Sequence, residues 1–263
     1  MVQRLISGVL AGLVFLGVIL LGDGYYSAFL TIVALLGYRE FVKLNQFPSF
    51  RWDVIVGYLA VLLLSIPTMP FGWEAISIES CTWLLMFLLL SATVFSKNKI
   101  HLEHASLLFI GAFYIGIGFR YMVVTRDLEH GVFWTLLTFF CIWASDAGAY
   151  FVGRAIGKTK LWPAISPNKT VEGAVGGLAI SVVVALVFYF IYPEWVGFWQ
   201  AIGIALASAV AGTLGDLIQS AYKRLRGVKD SGNLLPGHGG ALDRTDSWLI
   251  VFPFVHFLGL LPN

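Results

Sequence analysis

The sequence predicts an all-α polytopic membrane protein: one integral membrane domain over residues 1–263, built as a bundle of about nine transmembrane helices, with a polar site at the cytoplasmic ends of the C-terminal helices. Three observations carry that prediction. Charged residues make up 12% of the chain, roughly half the share of a soluble domain, while hydrophobic types reach 58% and mean hydropathy is +0.83. Runs with few or no charges recur at about 5–21, 25–42, 53–70, 82–96, 104–123, 131–152, 171–192, 197–221 and 247–261. The alternation of a β-barrel is absent, which leaves helices as the spanning structure.

The first run follows Arg4 and has the length of a secretory signal, but it lacks an A-x-A cleavage pattern and further spans follow, so it is read as the first helix. The breaks between later runs combine turn residues with charge: Gly22-Asp23-Gly24, Asn45-Gln46-Phe47-Pro48, Met69-Pro70-Phe71-Gly72, Lys97-Asn98-Lys99, Arg126-Asp127 and Pro193-Glu194. With nine spans, the N-terminus and the loops after even-numbered spans share one side, and 15 of the 17 Lys and Arg fall there; Arg120 and Arg126 alone fall on the other. The positive-inside rule makes the basic side cytoplasmic, in a multi-pass protein of the cell membrane. Residues 1–130 read as N-terminal spans for lipid contact and packing, and residues 131–263 as the half that carries chemistry.

Some features call for no chemistry. Cys81 and Cys141 lie inside apolar runs and read as buried packing thiols. Gly8-x-x-x-Gly12 and Gly173-x-x-x-Gly177 are small-residue pairs that let helices approach closely.

The charged residues near span ends are more informative, because an ionisable group in a span is costly unless it faces protein or water. Asp146 in the sixth run and Asp216 in the eighth both sit within about two turns of the cytoplasmic end. Asp243 and Asp246 are three apart at the entrance to the last run, a spacing that puts two carboxylates on one face once a helix has begun. Carboxylates near water with no His or Cys cluster suit a hard cation, so Asp216, Asp243 and Asp246 are the candidate Mg²⁺ ligands. Between them runs Pro236-Gly237-His238-Gly239-Gly240, glycine-rich as loops that bring backbone N–H groups to phosphate are, and as ordinary turns are too. Lys223, Arg224, Lys229 and Arg244 flank it and can pair with phosphate oxygens, while His238 fits a phosphate donor, a turn residue or a proton carrier. A second basic loop holds Arg154 and then Ser166-Pro167-Asn168-Lys169-Thr170, two hydroxyls and an ammonium just before a new helix, where an N-terminus favours phosphate.

The stretch Ser220-x-x-Lys223-Arg224-x4-Lys229-Asp230-x-Gly232-x2-Leu235-Pro236-x-His238-Gly239-Gly240-x2-Asp243-Arg244-x-Asp246 resembles the signature of phosphatidate cytidylyltransferases, also called CDP-diacylglycerol synthases. Ser145-Asp146, Gly148-Ala-Tyr150, Gly153-Arg154, Ser166-Pro167 and Lys169-Thr170 are similar to that family's second well-kept region; Tyr222 and Ala241 depart from it at positions that read as packing. The resemblance implies a nucleotidyltransferase converting CTP and phosphatidate into CDP-diacylglycerol and pyrophosphate, using Mg²⁺, alone or with a second, monovalent ion, in a homodimer within membrane lipid and with no nucleic-acid partner. It implies that Asp216, Asp243 and Asp246 match the metal-site acids. Lys223, Arg224, Lys229, Ser166 and Lys169 match positions near substrate phosphates, and Asp146 and Arg154 stand beside them. Two other readings use the same residues: a cytidylyltransferase for a different lipid phosphate, and an ion-coupled transporter with Asp146 and Asp216 as its intramembrane sites. The transporter reading expects charges near mid-membrane and broken helices in both halves, whereas the charges here gather at one face.

Overall fold

The computed structural model describes residues 2–67, 76–234 and 239–262; the expected break at 69–72 and the candidate His238 lie outside them. The described elements are α1 (Val2–Leu21), α2 (Asp23–Leu44), α3 (Trp52–Ser65), α4 (Ile78–Phe95), α5 (Leu102–Asp127), α6 (Gly131–Ile156), β1 (Lys160–Trp162), β2 (Ser166–Thr170), α7 (Val171–Ile191), α8 (Phe198–Leu225), α9 (Leu242–Thr245) and α10 (Trp248–Phe257). Five of the described helices, α4 to α8, are long and apolar enough to cross a membrane, which makes this a predominantly helical integral membrane protein. α2 has the length, but Arg39, Glu40 and Lys43 crowd its last two turns. α3 and α10, with 14 and 10 residues, rise only about 21 and 15 Å against a hydrocarbon core of about 30 Å.

The chain divides into two compact units, Met1–Val124 with Asp230–Arg244 and Thr125–Lys229 with Thr245–Asn263. In the first, α2 packs on α3 and α3 on α4. Tyr38 of α2 is fully buried and lies edge-on to Tyr58, with ring centroids 4.9 Å apart, its hydroxyl in the space that glycine leaves at Gly57. Arg51 forks the wholly buried Asp53 at the start of α3, at 2.6 and 2.7 Å, which supplies the partner a buried carboxylate requires. Arg120, one of the two basic residues that the sequence sets apart from the other fifteen, donates to Ile66 O at 3.1 Å and so satisfies a carbonyl just past the end of α3.

The second unit is built on α6, α7 and α8, with α10 against α8. α6 and α7 meet along glycine: a Cβ added to Gly177 would lie 2.5 Å from Ser145 O, and one on Gly173 would lie 2.7 Å from Ala149 O. The Gly173/Gly177 pair is therefore a packing seam, as expected, whereas a Cβ at Gly12 would meet open space among the described residues. Ser181 of α7 ties three helices, its hydroxyl lying 3.1 Å from Cys141 O on α6 and 3.2 Å from Ala205 O on α8. Both cysteines are free and buried.

Two features depart from the all-helical expectation. The loop after α6 folds into an antiparallel β1–β2 hairpin pairing Lys160 with Thr170 and Trp162 with Ser166. It is pinned to α7 by Glu172, whose carboxylate accepts the N–H groups of Lys158 and Thr159 at 3.1 Å, and by Val171 N–H donating to Thr159 O at 2.9 Å. The last helix is also broken: α9 ends at Thr245, Asp246 and Ser247 form a turn, and α10 starts at Trp248. Asp243 and Asp246 therefore do not share one continuous helical face, and they belong to different units.

Candidate active site

On α6, the residues Asp146, Ala149, Tyr150, Gly153 and Arg154 fall at i, i+3, i+4, i+7 and i+8, one stripe of a helix. The seam glycines bring α7 close to that stripe, and the hairpin swings Asn168 and Lys169 over it. The result, within the second unit, is a cavity of about 420 Å³ lined by these residues together with Leu161, Thr170, Ala174, Thr213 and Asp216. Five candidates from the sequence thus line one cavity: Asp146, Arg154, Lys169, Thr170 and Asp216. Tyr150, Asn168 and Thr213 join them. Of these, Thr213 is invisible in the sequence until one notices that it stands at i−3 to Asp216 on α8.

Two of the charges in the cavity pair with each other. Lys169 Nζ lies 2.6 Å from Asp216 Oδ2, and Ser220 donates to Asp216 Oδ1 at 3.1 Å. Arg154 Nη1 reaches Tyr150 Oη at 3.4 Å, one turn back on α6. Thr170 serves the fold instead, as the N-cap of α7, where its side-chain oxygen accepts Gly173 N–H at 3.1 Å.

Asp246 is brought to α8 by a glycine. A Cβ on Gly215 would lie 2.6 Å from Asp246 O, and Ser247 donates its hydroxyl to Gly212 O at 3.1 Å, so the turn lies flat on the helix. Burial, and then the negative charge of Asp216, pushes the Asp246 carboxyl up to about 7; Asp146 adds to this, while Ser247 N–H, at 2.8 Å from Oδ1, and Lys223 act against it. Asp146, Asp216 and Asp246 thus feel one another across the second unit, with Lys169 and the buried Lys223 as the opposing charges. Such an oxygen-rich, acid-heavy environment fits a hard cation. Among the described residues no three His, Cys, Asp or Glu side chains close into a ready cage. Mg²⁺ does not demand one, since it commonly uses one or two carboxylates and completes its shell with water and substrate phosphates.

The remaining candidates lie elsewhere. Ser166 pairs with Trp162 in the hairpin and does not line the cavity. Arg224 is exposed and donates to Val228 O at 3.1 Å; Lys229 and Arg244 are exposed as well. Asp243, in the first unit, accepts Ser231 N–H at 2.7 Å and Gly240 N–H at 2.9 Å on Oδ2. The turn reading of these glycines holds at Gly239, and both Gly239 and Gly240 also leave room for carboxylates, which the sequence did not suggest. Gly239 has φ +81° and a Cβ there would lie 2.6 Å from Asp243 Oδ2, while a Cβ on Gly240 would collide with the Glu40 carboxylate. At Gly240 the backbone N–H serves the protein's own acid. Glu40 escapes a reading of the sequence, because it stands at the end of an apolar run among basic residues and looks like part of a topology-setting loop.

The sequence matches the cytidylyltransferase family over residues 2–261. It is 38% identical to a phosphatidate cytidylyltransferase of Staphylococcus haemolyticus over 256 residues, 97% of each chain. It is likewise 38% identical to that of Bacillus subtilis over 261 residues, 98% of this chain and 97% of the relative. The Staphylococcus saprophyticus protein of the same name is 39% identical over 256 residues.

Proposed function

The chain belongs to the cytidylyltransferase family, and from that premise we propose that it transfers the cytidylyl group of CTP to phosphatidate, giving CDP-diacylglycerol and pyrophosphate. The observation that carries the reading is the second unit's cavity, where Arg154 and Lys169 line the same space as Asp146 and Asp216, in the C-terminal halves of two helices long and apolar enough to cross a membrane. That combination suits a substrate whose head is a polyanion and whose tails are apolar.

A phosphate monoester with a second pKa of about 6 is largely a dianion at neutral pH, so its oxygen can attack the α-phosphorus of CTP without a strong base. The new bond is from that oxygen to the α-phosphorus, and the bond broken joins the α-phosphorus to the bridging oxygen of the leaving pyrophosphate. No proton has to be removed from the nucleophile, which agrees with a cavity that offers ammonium, guanidinium and carboxylate groups. What the protein must still do is bring two polyanions together and hold them in line. Lys169 and Arg154 are assigned to phosphate oxygens, with Lys223 behind Asp246. Asp216 and Asp246 are the proposed protein ligands of Mg²⁺, which when bound screens charge on the phosphates. Asp243, the third acid expected at the metal, is given the shaping of its loop by the hydrogen bonds it makes.

The finer placement belongs to the same reading: nine spans, multi-pass in the cytoplasmic membrane, the active site facing the cytoplasm, and a homodimer. The test is the purified full chain in detergent with CTP, phosphatidate and Mg²⁺. Pyrophosphate and CDP-diacylglycerol are expected in equal amounts, with no turnover of ATP or GTP and none after chelation of divalent ions. Turnover of an isoprenoid phosphate or an ether-linked acceptor with none of phosphatidate would overturn the assignment. Light scattering in detergent checks the dimer.

A further inference from the structure

Glu40 stands in the last two turns of α2, in the half of the chain where the sequence offers apolar spans and little else. Its residue is only 8% exposed, and among the described residues its carboxylate accepts hydrogen bonds from one distant segment. Oε1 accepts Ala241 N–H at 2.8 Å; Oε2 accepts Leu242 N–H at 3.0 Å and the Ser231 hydroxyl at 2.8 Å. That hydroxyl lies 3.0 Å from Asp243 Oδ2 as well, so one serine bridges the two carboxylates. Room for Glu40 is made by glycine on both sides of the segment: a Cβ on Gly232 would lie 2.6 Å from Oε1, and one on Gly240 would collide with the carboxylate.

We infer that Glu40 is a positioning residue for the reaction: from α2 it clamps both ends of the 231–242 segment and thereby fixes the Asp243 carboxylate and the backbone that leads on to Asp246. The kinetic part rests on the cytidylyltransferase reading; the clamp itself does not. The residue must be an acid. All three partners donate, and a carboxamide would turn its NH₂ toward an N–H or O–H that needs an acceptor. Aspartate keeps both acceptors and loses reach by one methylene.

The experiment compares full-length wild type, Glu40→Gln, Glu40→Asp and Ser231→Ala in detergent, by amide hydrogen exchange and by steady-state kinetics with CTP and phosphatidate. For Glu40→Gln, the amides of Ala241 and Leu242 are expected to exchange about tenfold faster while those of α7 stay as in wild type, because one satisfied hydrogen bond is worth about that factor. Over the same change kcat is expected to fall by about tenfold or more with the KM for phosphatidate unchanged, and Glu40→Asp to recover part of both effects. Wild-type exchange and kcat in Glu40→Gln overturn the inference, as does a loss of kcat accompanied by faster exchange throughout α7, which marks a merely structural role. Should Glu40→Gln not fold, Ser231→Ala decides: a smaller fall in kcat supports the clamp and an unchanged kcat overturns it. A wild-type protein that does not turn over CTP with phosphatidate sinks the functional reading alone, since the exchange measurement still decides the clamp.

Discussion

Lys169 and Asp216 show how much the cavity depends on single side chains. Their 2.6 Å contact couples the hairpin to α8. Lys169→Met removes a cation from the place where phosphate charge gathers, and turnover is expected to fall by about 10²-fold, measured as pyrophosphate release. Asp246→Asn separates function from stability. Asparagine keeps an oxygen for Ser247 N–H and sheds a charge that burial and Asp216 disfavour. Activity is expected to vanish while the thermal midpoint stays level or rises; a drop in the midpoint would count against the assigned electrostatics. Much of this was legible: Asp146 and Asp216 announce themselves because charge in a span needs a reason, and the helical stripe from Asp146 to Arg154 follows from spacing alone. Glu40 was not, since nothing local links it to Ser231, 191 positions away, and its meaning lies wholly in that tertiary contact.

Among elements, the α6–α7 seam has the least slack. Gly177→Val places carbon against Ser145 O, and forcing the helices apart is expected to cost roughly 1–3 kcal/mol, read as a lower thermal midpoint with loss of activity because the cavity wall moves. Thr170→Ala deletes the α7 cap and is expected to cost about 1 kcal/mol, with Thr170→Ser restoring it; a substrate-binding role for the hydroxyl predicts instead lost activity at full stability. The helices were readable from hydropathy. The β1–β2 hairpin was not, because Ser166-Pro-Asn-Lys-Thr170 has weak strand propensity and is held by Glu172 beyond its own end. Nor was the break after α9, where Ser247 commits its hydroxyl to a carbonyl of α8.

For the molecule as a whole, the proposed topology is open to direct test. Single cysteines at Lys158 and Lys229 are expected to react with an impermeant thiol reagent from the cytoplasmic side only, and cysteines at Glu129 and Glu194 from the opposite side only. The native Cys81 and Cys141 are buried and should give little background. Labelling of Lys158 and Lys229 positions from opposite sides would refute the nine-span reading. Composition made the membrane class plain, but full-length crossings are evident in five of the described helices; α3 and α10 are too short to cross unaided, a shortness that run length in the sequence conceals, since the apolar run at 247–261 outlasts its helix, which ends at Phe257, two residues before Gly259 at φ +62°.

The ammonium of Lys169 resting on Asp216 also bears on how the vestibule fills. Each partner already cancels the other, so a visitor bearing only one sign must evict a neighbour and leave its mate stranded. A nucleotide escorted by its own counterion brings both signs at once, and the two side chains can change hands together, the amine to the guest's oxygens and the acid to its escort. Loading as a pair is then the downhill route, and the ion by itself should be a poor guest.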